Sequence, residues 1–279
     1  MIHATMQRNG SMTWLLLLAI GALSMPVRAD LSSSSCRTAS ADCMAVGHWN
    51  FSVSLGAGVR TNPLAGRSDI PLFVIPHVSY YGKRFFLDNL DLGFTLVERP
   101  TYSLNLFASP GYDRVFFSLH DPQNVFGAVT GSGTNTDPPP VARSIDFTYL
   151  AGLEWIGTYR ALDVQLDLLH DITGQNDGTE IRAALGLPLW RSTSTISANF
   201  GFTWKSAAIV NYYYGVPGFY RTGSALNPFL KLSFERPLSP RWELKAFAHV
   251  ERLADSIASS PIVTQRYVAT VFAGATYAF

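Results

Sequence analysis

Histidine and acidic side chains are the residues of this sequence that could carry out hydrolysis, because a general base must sit beside a nucleophile. Two pairs, His120-Asp121 and His170-Asp171, place the two residue types side by side. Neither pair lies in a serine-centred motif or in a frame that contains a second acid. We therefore interpret both pairs as hydrated loop residues and predict a protein that is not an enzyme.

Cysteine and glycine spacing predicts no metal or cofactor either. The two cysteines, Cys36 and Cys43, lie close together in CRTASADC, and no cysteine-histidine spacing of a zinc site accompanies them. No glycine-rich phosphate loop precedes a helix. In an exported chain, Cys36 and Cys43 would most simply close a small local disulfide loop.

The first 29 residues have the organisation of a secretory signal peptide. Arg8 is followed by the apolar run WLLLLAIGAL and then by small residues that end at Ala29. The run is too short for the roughly 18 to 20 residues of a membrane-crossing helix. We predict cleavage after Ala29, an N-terminal periplasmic segment over 30–46 and a folded domain over 47–279.

Charge and hydropathy narrow the class of that domain. The chain carries 21 basic and 20 acidic side chains, so nothing in its charge balance indicates a nucleic-acid partner. Hydrophobic residues make up 47% of the sequence, yet no helix-length apolar stretch follows the leader. This combination excludes a helical membrane protein and allows a membrane barrel, whose apolar residues are spread along alternating strands.

Period-two alternation is the main structural signal. It runs through WNFSVSLGAGV, IDFTYLAGLEW, LDVQLDLLH and four later segments, with turn residues between them. A soluble β-sandwich also alternates, but here the polar face carries charges that a wet lumen tolerates better than a dry core. Those charges are Glu154, Asp163, Asp167, Arg182, Lys231 and Lys245.

These segments predict an all-β fold, an antiparallel transmembrane β-barrel of the bacterial outer membrane with about twelve strands. Trp and Tyr near the strand ends suit the two membrane interfaces, and short turns alternate with long loops. Ten strands is the alternative, because KRFFLDNLDLGFTLVERP could form one long strand or a short hairpin. The final RYVATVFAGATYAF predicts a closing strand, and Tyr277 and Phe279 resemble the C-terminal signal that outer-membrane proteins present to the barrel-assembly machinery.

Three further features bear on what the barrel does. Pairing the strands on either side of DITGQNDG puts Asp167 opposite Arg182, which predicts an ion pair inside the lumen. The apolar half of loop 109–143 could fold inward or remain a mobile surface loop. The tyrosines Tyr212, Tyr213 and Tyr214 could form part of an interfacial belt or a binding patch.

Several segments resemble the MipA/OmpV family of outer-membrane proteins. They are Ile70 to Leu96, NYYYGV (Asn211 to Val216), ERLADSIASSPIV (Glu251 to Val263) and the closing YAF. The resemblance implies a non-enzymatic barrel, and the family's namesake is described as a scaffold that joins a lytic murein transglycosylase to a penicillin-binding protein. The sequence thus favours a scaffold or interaction protein in contact with outer-membrane lipid. A narrow channel or a binding protein for small solutes is the alternative.

Overall fold

The computed structural model describes residues 46–117 and 145–279. They form a closed antiparallel barrel in which each strand pairs with its sequence neighbours and β1 pairs with β12. The predicted fold and the count of twelve strands are confirmed. The strands are β1 (Trp49–Arg60), β2 (Ile70–Tyr81), β3 (Phe85–Asp88), β4 (Asp91–Arg99), β5 (Tyr102–Pro110), β6 (Tyr149–Tyr159), β7 (Leu162–Asp171), β8 (Thr179–Arg191), β9 (Thr195–Lys205), β10 (Ala225–Pro237), β11 (Trp242–Arg252) and β12 (Tyr267–Ala278).

The two ends of the barrel differ in how their strands are connected. One end, here the turn end, carries five connections of two to four residues, together with both ends of the described barrel. The other, the loop end, carries the long connections, whose described residues form an inner 3-10 helix (Tyr112–Phe117) and two α-helices, α1 (Ala207–Tyr214) and α2 (Asp255–Ala258). In outer-membrane barrels short turns face the periplasm and long loops face outward.

Alternation along β12 divides its side chains between lipid and lumen as the sequence predicts. Tyr267 and Val271 point outward and are exposed, whereas Val268, Thr270 and Phe272 are buried inside. The same outward exposure of large apolar side chains recurs on the other strands. A barrel with an apolar outer surface is suited to a hydrocarbon environment. None of the described helices is long and apolar enough to span a membrane.

The segment that allowed two strand counts is a short hairpin, β3–β4. Its tip stops well below the loop end, where the Asn89 amide donates to the Val78 carbonyl over 2.7 Å. Two tyrosines hold this tip: the Tyr149 hydroxyl donates to the Leu90 carbonyl, and the Tyr112 hydroxyl donates to Asp91 Oδ1 over 2.7 Å. The hairpin is therefore fastened both to the wall and to the inner 3-10 helix.

The seam between β1 and β12 closes the barrel. Gly56 lies opposite Gly274, and the hydroxyls of Ser54 and Thr276 share a hydrogen bond of 2.7 Å. A Cβ added to Gly56 would overlap the Ala273 carbonyl oxygen. Only a residue without a side chain fits this close approach of the two backbones.

Candidate functional site

The loop end is filled by a hydrophobic cluster, which we call the loop-end cap. It collects side chains from the β1–β2, β5–β6, β9–β10 and β11–β12 connections and from the ends of β10 and β12, and it buries them as completely as a soluble core. Its buried members are Leu64, Phe116, Phe117, Ile145, Ile209, Val210, Tyr213, Tyr214, Ala225, Leu253, Ile257, Ile262, Val263 and Val268.

Tyr212, Tyr213 and Tyr214 lie on α1. Tyr213 and Tyr214 belong to the cap, and Tyr212 packs against it. Tyr213 and Tyr214 are fully buried, and each ring centroid is 5.9 Å from that of Phe117. The hydroxyls of Tyr213 and Thr148 share a hydrogen bond of 2.6 Å, while the Tyr212 hydroxyl accepts from the Asp146 amide over 3.2 Å. Tyr213 and Tyr214 therefore pack in the cap rather than in a lipid-facing belt. A binding role for the three stays a prediction.

Burial also sets the ionisation of the cap tyrosines. Removal from water raises the pKa of Tyr213 and of Tyr214 above the usual value, because the phenolate would lose its hydration. The nearby carboxylate of Asp113 acts in the same direction. Both side chains are thus neutral phenols in the folded barrel.

The first part of loop 109–143 forms the inner 3-10 helix and folds inward, which is one of the two alternatives that the sequence allows. Phe116 and Phe117 are buried in the cap, and the Arg60 guanidinium lies 5.0 Å from the Phe116 ring centroid. The remainder of the loop, including His120, lies outside the described residues. Alternation begins at Ile145 in IDFTYLAGLEW, but strand β6 begins at Tyr149, because Ile145 packs in the cap and Thr148 bonds to Tyr213.

A buried salt bridge joins the inner helix to the wall. Lys205, the last residue of β9, places its Nζ 2.6 and 2.5 Å from the two carboxylate oxygens of Asp113. Both side chains are almost completely buried. Sequence reasoning missed this pair, since the two residues are 92 positions apart and one of them lies in a long loop.

Below the cap, Arg182 is the centre of a lumen network. The ladder places Asp167 directly opposite Arg182, and both side chains are buried. The guanidinium, however, donates from Nε to Glu180 over 2.6 Å and from Nη1 to Ser109 over 3.1 Å. The predicted register is thus present, but the salt bridge forms with the carboxylate two residues earlier on the same strand and the same face.

Two acids face each other across β6 and β7. Glu154 lies opposite Asp167, and the amide of Gln165 donates to both carboxylates at 3.2 Å. The amide of Asn105 donates to the second oxygen of Glu154 over 2.8 Å. This arrangement lets amide donors separate two buried carboxylates that would otherwise repel each other.

A small polar cavity of about 90 Å³ lies within the lumen network. Space of that size can hold several water molecules. The acidic, basic and histidine side chains that line it are Arg60, Asp88, Asp91, Asp113, Glu154, Glu180, Arg182, Lys205, His249 and Glu251.

His170 and Asp171, one of the two histidine-acid pairs, have a structural role. His170 is exposed and shares a hydrogen bond of 3.1 Å with the Thr179 hydroxyl. Asp171 accepts from the backbone amides of Thr173, Gln175 and Asn176, which fixes the β7–β8 loop. In the described part of the chain, no group of three or more His, Cys, Asp and Glu could hold a metal ion.

Comparison with known proteins identifies the family. The sequence model described as MltA-interacting protein MipA matches residues 53–279. The chain belongs to the MipA family. The MltA-interacting proteins of Escherichia coli (strain K12) and of Shigella flexneri are each 25% identical to it over 244 residues, covering 82% of this chain and 90% of theirs. The family resemblance seen in the sequence is thereby confirmed.

A solved outer membrane channel from Pseudomonas putida F1 has a related shape. It aligns with a TM-score of 0.44 and 8% identity, over 85% of this MipA-family chain and 97% of the channel. The likeness is remote, and it says nothing of whether the MipA-family barrel conducts.

The C-terminus of this MipA-family barrel lies in an aromatic cluster at the turn end. The Tyr277 ring centroid is 5.0 Å from that of Trp242 and 5.1 Å from that of Phe279. The Phe279 amide donates to the Phe51 carbonyl over 3.0 Å. The assembly-signal role of Tyr277 and Phe279 stays a prediction. Cys36, Cys43 and the leader 1–29 lie outside the described residues.

Proposed function

We propose that this protein is a non-enzymatic outer-membrane barrel, closed to solutes at its loop end, that interacts in the periplasm with murein-cleaving and murein-synthesising enzymes. Export would use the leader 1–29 and leave the segment 30–46, with Cys36 and Cys43 joined, on the periplasmic side. The partners would be a lytic transglycosylase and a penicillin-binding protein.

The loop-end cap is the observation that best supports a barrel closed to solutes. Aromatic side chains of the inner helix and of α1 occupy the outer mouth, where an open channel needs water. Lys205 ties the inner helix to the wall by a buried salt bridge. A conducting pore would require this packed cluster to open, at the cost of exposing a large apolar surface.

Family membership supports the choice of partners. The relatives from Escherichia coli and Shigella flexneri carry the name MltA-interacting protein and match 82% of this chain. The short turns at the turn end and the segment 30–46 are the parts that a periplasmic enzyme could reach. The penicillin-binding protein rests on the resemblance alone.

An affinity pull-down from detergent-solubilised envelopes tests the partner. The tagged full-length chain should retain a lytic transglycosylase and a penicillin-binding protein, whereas a barrel with a reversed 30–46 segment should retain less of both. Recovery of neither enzyme from envelopes that contain both would refute the scaffold proposal.

A narrow solute channel is the second candidate, and the charged cavity of about 90 Å³ favours it. Purified barrel in planar bilayers separates the two. The closed barrel should show no steady conductance, while steady ion current through the unmodified chain would establish the channel instead.

A further inference from the structure

Basic residues occur in or beside every turn of the turn end. The five connections 82–84, 100–101, 160–161, 192–194 and 238–241 each have at least one exposed arginine or lysine within them or at an adjoining strand end. We call this set the turn-end basic ring. Its members are Lys83, Arg84, Arg99, Arg160, Arg191, Arg236 and Arg241.

The ring is not neutralised by neighbouring acids. Among residues 46–117 and 145–279, none of the seven forms a salt bridge. Four acids lie near the turn end. Glu235 lies 3.5 Å from Lys245, Asp163 accepts from the Thr158 hydroxyl over 3.0 Å, and Glu98 and Glu243 are the other two. The seven cations of the ring outnumber these acids, so the rim carries a net positive charge in the described part of the protein.

Among the described residues, the loop end has no comparable excess of positive charge. Its exposed cations include Arg221, Arg252 and Arg266, and the last of these pairs with Asp255 at 2.6 Å. Exposed acids lie among them at Asp69, Asp146 and Asp177. Within residues 46–117 and 145–279, the excess of positive charge is thus concentrated at the turn end.

The position of the ring along the barrel axis, beside aromatic residues, indicates what it contacts. In each turn a basic residue adjoins, or lies across the ladder from, an exposed belt aromatic, and two guanidinium groups contact tyrosines directly. Arg160 lies 5.4 Å from the Tyr159 ring centroid, and Arg241 Nη1 donates to the Tyr277 hydroxyl over 3.2 Å. Belt aromatics mark the headgroup level of a bilayer. The aromatic neighbours are Phe85, Tyr102, Tyr159, Trp190 and Trp242.

We propose that the turn-end basic ring binds the phosphate headgroups of anionic phospholipids in the leaflet that faces the periplasm. Arginine is suited to this task because its planar guanidinium can donate two parallel hydrogen bonds to a phosphate. Turns of two to four residues keep the cations close to the strand ends, at the level of the belt aromatics. The inference does not depend on the proposed scaffold function.

Tryptophan quenching by brominated lipids tests the lipid preference. Trp49, Trp190 and Trp242 lie at the turn end, so full-length barrel in vesicles of phosphatidylcholine with brominated phosphatidylglycerol reports which lipid surrounds the ring. We expect an apparent preference for the anionic lipid of about threefold at low salt, decreasing as salt is added. No preference in the unmodified protein would overturn the proposal.

Matched variants assign the preference to the ring. The triple variant Arg160→Gln, Arg191→Gln and Arg241→Gln should lose it, and the loop-end control Arg221→Gln with Arg252→Gln should keep it. The charge-preserving variant Arg160→Lys, Arg191→Lys and Arg241→Lys should retain most of it, and heat-modifiable migration on a gel verifies that each barrel has folded. A glutamine variant that keeps the lipid preference but loses a co-purifying protein would overturn the proposal in favour of an acidic protein partner.

Discussion

Lys205 and Asp113 form a buried salt bridge that fastens the inner 3-10 helix to strand β9, with the ammonium nitrogen 2.6 and 2.5 Å from the two carboxylate oxygens. The pair lies directly beneath the hydrophobic side chains that fill the loop end. The inner helix is therefore held by a buried salt bridge as well as by packing and by the hydrogen bond from Tyr112 to Asp91.

Removing one partner of this bridge should release the helix. Lys205→Met leaves the Asp113 carboxylate buried without its counter-charge, and we expect a loss of about 3 to 5 kcal/mol in the free energy of unfolding by urea. Lys245→Met, at the half-exposed pair with Glu235, should change the same quantity by less than about 1 kcal/mol. Equal effects of the two substitutions would show that the Lys205 bridge is not buried.

Double-mutant cycles should rank the contacts of Arg182. The cycle with Glu180, which accepts from Nε over 2.6 Å, should give a coupling of about 2 kcal/mol in urea unfolding. The cycle with Asp167 should give a smaller coupling, because that carboxylate accepts from the Gln165 amide. A larger coupling with Asp167 would favour the ion pair between Asp167 and Arg182 that the hairpin symmetry predicts.

Tyr213 and Tyr214 allow a matched pair of substitutions, each of which removes one hydroxyl group. Tyr213→Phe removes a hydrogen bond of 2.6 Å to Thr148 and should cost about 1 kcal/mol of unfolding free energy. In the described chain the buried Tyr214 hydroxyl has no hydrogen-bond partner, so Tyr214→Phe should be neutral or stabilising. Thermal melting of the two variants under one detergent condition measures the difference, and the reverse order would contradict it.

The barrel seam should tolerate no side chain at Gly56. Gly56→Val would drive a Cβ into the Ala273 carbonyl, so little heat-modifiable barrel should form in folding assays from urea. Ala57→Val, at the next position and on the lipid-facing side, should fold with nearly unchanged yield. A folded Gly56→Val barrel of normal stability would mean that β1 and β12 can separate locally.

The terminal aromatic should matter for assembly more than for stability. Phe279 is 78% exposed, so Phe279→Ala should leave the melting temperature of folded barrel almost unchanged. In cells it should lower the outer-membrane yield and increase the unfolded periplasmic fraction. Phe219→Ala, at a loop-end side chain that is 90% exposed, serves as the control and should have no such effect.

The two-residue alternation of apolar and polar side chains is sufficient to predict the wall of the barrel. Each strand buries or exposes every second side chain, so the lipid and lumen faces of β12 and the register of Asp167 opposite Arg182 follow from local sequence and a symmetric turn. The β3–β4 hairpin is ambiguous in the sequence, because a four-residue strand such as β3 is too short to show the two-residue alternation.

The interior could not be predicted in the same way. Arg182 donates to Glu180 rather than to Asp167, whose carboxylate accepts from the Gln165 amide, and the strand alternation does not distinguish these two acids. The bridge from Asp113 to Lys205 depends on a loop folding inward, which brings together residues 92 positions apart. Tyr213 and Tyr214 enter the cap because α1 packs against α2, β8 and β9, a tertiary arrangement that the motif NYYYGV does not reveal.

The pairing of β1 with β12 also constrains the timing of folding. Ser54 bonds to Thr276 across 222 positions, so the first strand is synthesised long before its partner is available. Contacts of such high sequence separation form slowly, and the unpaired edge of β1 would remain open to association with other chains. We therefore expect closure to be the last step of folding, and a chain interrupted before β12 would be left as an open sheet.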